Sequence, residues 1–112
     1  MDVKTFLTNL LSSLASIDFI KDLDLKTEGG TLSGRIFLKD KMFLEVYYNE
    51  LTEAIAFALI KEEKRIWGID KDKIRDWHIH PFDAPQTHEL IQPLSILEVV
   101  LKLKEVWENI KS

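Results

Sequence analysis

An α+β fold is predicted: a two-layer sandwich in which an antiparallel meander sheet of five or six strands carries an N-terminal and a C-terminal helix on one face. Three observations predict it. The chain begins and ends in amphipathic segments of helical period. The stretch between them alternates apolar and polar residues with period two. Connections within that stretch are too short for parallel crossovers. At 112 residues, 46% of them hydrophobic, the chain is read as one domain, residues 1–112, with a single core.

The first helix rests on Val3, Phe6, Leu7, Leu10, Leu11, Leu14 and Ile17, which follow the i, i+3, i+4 rule. Asp2 is its N-cap, and the helix is expected to end between Ser16 and Asp18. Gly29-Gly30 is the strongest turn signal and separates strands at Leu23–Glu28 and Thr31–Leu38. Met42–Asn49 alternates, with Met42, Leu44, Val46 and Tyr48 on one side. Ala54–Lys61 is an apolar run too short for an average helix and is read as a strand. Arg65–Asp70 and Ile74–His80 follow, joined by Lys71-Asp72-Lys73. The last helix starts with a capping box, Ser95-Ile96-Leu97-Glu98, and presents Ile96, Val99, Val100, Leu103, Val106, Trp107 and Ile110 as its apolar stripe. With both helices on one face, the other face of the sheet is left for a ligand or a partner.

Composition removes several classes of function. Cysteine is absent, so disulfides, thiolate metal sites and cysteine nucleophiles are excluded. The formal charge of −4 speaks against a whole-surface basic footprint. No apolar run reaches the ~18 residues of a membrane span, and no secretory leader follows Met1-Asp2-Val3-Lys4, so a cytoplasmic protein without membrane contact is expected. Lys and Glu dominate the charge and Asn, Gln and Met are scarce, the drift of proteins from hot environments (a thermophile). The glycines form no phosphate-binding pattern, and no serine sits in a nucleophile elbow.

Chemistry concentrates between residues 75 and 90, where all three histidines lie. On a strand over 74–80, Trp77 and Ile79 point into the core, while Asp76, His78 and His80 point to the open face. Asp83 and His88 follow on a loop braced by Pro81 and Pro85. Arg35, Glu45 and Tyr47 share that face in one register. The residues admit three readings. His-x-His with a carboxylate can hold a divalent metal, the one cofactor the sequence suggests. Histidine beside aspartate can move protons during RNA cleavage, with His78 or His80 as base, another histidine as acid, and Arg35 or Arg75 on phosphate. Imidazoles can also do no more than satisfy loop backbone. Trp67, Trp77 and Trp107 are read as packing, and Tyr47 as a surface on which a base can stack.

The strand Phe43-Leu44-Glu45-Val46, the aromatic-rich β middle, and Phe82-Asp83-Ala84-Pro85 with His88 ahead of a C-terminal helix resemble the TumE family of toxin–antitoxin proteins over about residues 30–100. That family carries Asp-Asn-Ala-Pro-His-His and then a second histidine-rich stretch. Here Gln86-Thr87-His88 replaces the doubled histidine, and Leu90-Ile91-Gln92-Pro93 stands where the second stretch would begin. The resemblance implies a toxin component held in check by a helix-turn-helix antitoxin, with RNA as target by analogy with small toxins. Asp76, His78, His80, Asp83 and His88 would then be catalytic, and Arg35, Arg75 and Tyr47 substrate-binding. Two alternatives stand beside it: an interaction module that forms a homodimer or docks a partner on the open sheet face, and a small metal-dependent hydrolase.

Overall fold

The computed structural model describes residues 1–111. The order is α1 (Val3–Leu14), β1 (Ile20–Glu28), β2 (Thr31–Leu38), β3 (Met42–Asn49), β4 (Ile55–Lys61), β5 (Lys64–Lys71), β6 (His78–His80), β7 (Glu89–Leu90) and α2 (Ile96–Lys111). The strands form one antiparallel sheet in chain order, β1 to β7. This is the expected α+β meander with a helix at each end. It has seven strands rather than five or six, the addition being the two-residue β7.

Both helices cover the same face. Asp2 accepts a hydrogen bond from the Thr5 amide and caps α1, which buries Phe6, Leu10 and Leu14. Leu11 stays exposed, and the helix stops at Leu14, short of the expected end. The Ser95–Glu98 capping box forms reciprocally and starts α2. Beneath the helices, Leu32, Ile36, Leu44, Val46, Phe57, Leu59, Trp67 and Ile69 supply every other strand position to the core. Tyr48 also faces inward and stacks on Phe6, centroids 4.3 Å apart. Phe19 stacks on Trp107 at 4.2 Å and ties the start of the sheet to the end of α2.

The hairpins explain the register. Gly29 and Gly30 both take positive φ, 56° and 82°, the left-handed pair a two-residue turn needs. Between β5 and β6 the expected strand Ile74–His80 is shortened to His78–His80. Asp72 is the cause. Its carboxylate accepts from the amides of Ile74 (2.9 Å) and Arg75 (2.5 Å), and its own amide donates to the Arg75 carbonyl (2.8 Å). That local turn removes residues 72–75 from the ladder.

Candidate functional site

The open face is organised by cross-strand rows. Arg35, Glu45, Ala58, Gly68 and His80 form one row; Ser33, Tyr47, Ala56, Asp70 and His78 form the next. Small residues in the middle make the floor of a trough, and a hollow of ≈320 Å³ opens there between Arg35, Tyr47, Ala58 and Arg65. A second hollow shares Tyr47, Ala56 and Arg65 with it and reaches Asp70, Arg75 and His78. A third continues from Arg75 and His78 to His88. The trough therefore runs from Arg35 across the sheet to the histidines.

Arg65 reaches this face through a β-bulge. Strict alternation from Trp67 would turn Arg65 toward the helices, but one extra residue in β5 makes it pair with Ile60. Its guanidinium then lies over Gly68, where a Cβ would stand 2.8 Å from the Phe57 carbonyl and 3.2 Å from Arg65 Nε. From there Nη2 donates to both oxygens of Asp70, at 3.2 and 3.3 Å.

Asp70 is the hub. Its Oδ2 is 3.5 Å from His78 Nε2 and 3.3 Å from His80 Nε2. The far side of each ring is held by a backbone carbonyl: His78 Nδ1 lies 2.9 Å from the Asp76 oxygen, His80 Nδ1 3.0 Å from the Pro85 oxygen. A carbonyl only accepts, so Nδ1 carries the hydrogen in both rings. Both Nε2 atoms therefore face Asp70 with a lone pair when the rings are neutral. His88 closes the group, its ring centroid 4.4 Å from that of His80 and 5.4 Å from that of His78. Nitrogens of the three histidines lie within 4.8 Å of one another. The His88 imidazole titrates below the usual histidine range. Desolvation is the first cause, followed by His80, Arg75 and His78, with Asp70 acting in the opposite direction.

The pleat expected for His78 and His80 holds: Ile79 packs against the core, Trp77 is buried, and both imidazoles lie on the opposite face. That face is covered rather than bare at this point. His78 is 4% and His80 5% exposed, beneath the 81–88 loop and against Asp70. His88 is exposed. Asp76 enters the site through its main chain; its carboxylate accepts from the Trp77 amide. Asp83 is exposed on the loop, outside the histidine group. Arg35 pairs with Glu45 at 3.6 Å at the far end of the trough, Tyr47 is half-exposed along it, and Arg75 lies between Asp70 and His88.

Asp70 and Arg65 are the two site residues that sequence reasoning missed. A hairpin centred on Asp72 would set Asp70 opposite Ile74. The true centre is Ile74, which sets Asp70 opposite His78. Fold and site together define a two-layer α+β protein whose open sheet face ends in a histidine–aspartate cluster. Compared with known protein families, with characterised proteins and with solved structures, the chain gives no match. No helix among the described residues is long and apolar enough to cross a membrane.

Proposed function

We propose that the protein cleaves phosphodiester bonds in RNA at the His78–His80–His88–Asp70 cluster, as the toxin component of a TumE-like pair. One observation carries this reading: the chain has three arginines and three histidines, and all three arginines line the same trough with His78 and His88, while His80 lies buried beside them against Asp70. Every other basic residue is lysine. Arginine is the side chain suited to phosphate, because its planar fork binds two oxygens at once. Arg35, Arg65 and Arg75 would hold successive phosphates while Tyr47 offers a face for a base. Cleavage by water forms a new P–O bond, breaks the ester P–O bond and moves the water's proton to the departing oxygen. His88 is exposed at the end of the trough beside Arg75, and in this reading it is the histidine that touches the reacting group.

The test is purified protein with end-labelled single-stranded RNA. Cleavage that falls at least ~100-fold in His88→Ala, and binding that weakens in Arg75→Ala with unchanged folding, are expected. Intact RNA, or cleavage indifferent to His88→Ala, overturns the reading.

A partner has its own supporting observation. Ile74 and Leu90 are 94% and 81% exposed, and both border the hollow that reaches His88. A helix-turn-helix antitoxin, or a second copy of the chain, seated on these two side chains would cover the cluster. Ile74→Ser with Leu90→Ser is expected to abolish such a complex in size-exclusion chromatography with light scattering while RNA cleavage persists. A complex retained by the double variant would put the contact elsewhere.

A further inference from the structure

We propose that His78, His80, His88 and Asp70 bind one divalent cation of the zinc class. With Nδ1–H of both buried rings donating to carbonyls, each neutral ring offers only a lone pair at Nε2. Both lone pairs face Oδ2 of Asp70, which is also an acceptor. Three electron-rich atoms thus converge in a largely water-excluded place, an arrangement that costs free energy unless something positive stands among them. Arg65 does not fill that role, because it approaches the carboxylate from over Gly68 and bonds both its oxygens rather than standing between the rings. A single proton satisfies one ring and leaves the other lone pair facing oxygen. One cation satisfies all three atoms.

The distances agree. Ligands ~2.0–2.1 Å from a tetrahedral ion stand about 3.3–3.4 Å from one another. Asp70 Oδ2 and the two Nε2 atoms are 3.3 and 3.5 Å apart. The backbone carbonyls on Nδ1 are the partners that metal-bound histidines use on their far nitrogen, fixing tautomer and ring plane. Arg65 does the same for the carboxylate. The third nitrogen comes from His88, whose ring nitrogen lies within 4.8 Å of nitrogens of the other two histidines and which is the only exposed, loop-borne residue of the four. Three imidazoles and a carboxylate with no thiolate form a donor set suited to zinc. Solvent reaches the group from the hollow at Arg75 and His88, which leaves room for a bound water. Its use in RNA cleavage rests on the reading above: a water joining the four side chains as a fifth ligand would lose its proton near neutral pH and serve as the nucleophile.

The experiment uses the full chain made without a polyhistidine tag, stripped with a chelator, reloaded with zinc or manganese and desalted. About one equivalent of zinc per chain is expected by elemental analysis. Zinc is also expected to raise the melting temperature, and cobalt(II) to give intense visible bands. His88→Ala, whose apo form should melt like apo wild type, and Asp70→Asn should each weaken zinc binding by more than ~100-fold in a chelator competition. Less than about a tenth of an equivalent with either metal, or wild-type affinity in His88→Ala, overturns the site. The two proposals fail separately. One bound zinc without RNA cleavage supports the metal site and sinks the ribonuclease reading. Cleavage by a protein that holds no zinc does the reverse.

Discussion

The two edges of the sheet are built in opposite ways. β1 is a nine-residue outer strand, exposed along nearly its whole length, and it carries Lys21, Asp22, Asp24, Lys26 and Glu28. Mixed charge on a long edge discourages pairing with another chain. The opposite edge is short: β6 has three residues and β7 two. There a loop folds back over the sheet, so that the Pro85 carbonyl holds His80 and His88 meets the other imidazoles. One edge is protected by its side chains, the other by ending early, and only the second yields a covered place for chemistry.

The largest expected effect breaks the site edge. Gly68→Val would force a side chain against the Phe57 carbonyl and under Arg65. Overpacking of this kind should cost about 2–3 kcal/mol in urea unfolding, and it should also release Asp70 and weaken zinc binding. Lys26→Thr on β1, exposed and far from the cluster, should change stability by less than ~0.5 kcal/mol. Equal effects would erase the contrast.

A smaller effect concerns Asp72, whose turn ends the β5–β6 ladder. The amide hydrogen of Arg75, and to a lesser degree that of Ile74, holds its carboxyl below the usual range. A depressed folded value means that the turn is fully supported above the unfolded carboxyl value of 3.8 and loses that support as pH falls through the folded one. Amide exchange at Ile74 and Arg75 should therefore lose protection in acid, and at all pH in Asp72→Ala, while β1 amides keep theirs. Parallel loss in both places would show global unfolding instead. The smallest effect on the folded monomer is expected from Asp24→Val with Lys26→Ile: stability nearly unchanged, but association that grows with concentration in light scattering. A monomer at all concentrations would mean that charge is not what protects β1.

The same contrast governs what was legible in the sequence. Two-residue periodicity and Gly29-Gly30 located β2 and β3 to the residue, because a half-buried strand writes its pleat into its side chains. The helices were legible as elements, though the first stops at Leu14 rather than between Ser16 and Asp18, and the outward aim of His78 and His80 was legible too. Arg65 and Asp70 were not, for two physical reasons. A bulge inverts the facing of Arg65, and bulges leave no mark in hydropathy. The Asp72 turn moves the hairpin centre to Ile74, and with it the residue opposite each histidine. β7 was missed because two exposed residues, Glu89 and Leu90, carry no period at all. The burial of His78 and His80 depends on a loop folding back, which only tertiary contact decides.

The neighbour order of the strands has a consequence for biosynthesis. Because each strand pairs with the one made just before it, an emerging chain can zip its sheet progressively, with no strand waiting for a distant mate. The second helix is the exception: its sixteen residues leave the ribosome after all of the strands. Until then Trp67, Ile69 and Phe57 lack part of their roof, so the interval in which the strands are out and the second helix is not is the stage most in need of a chaperone.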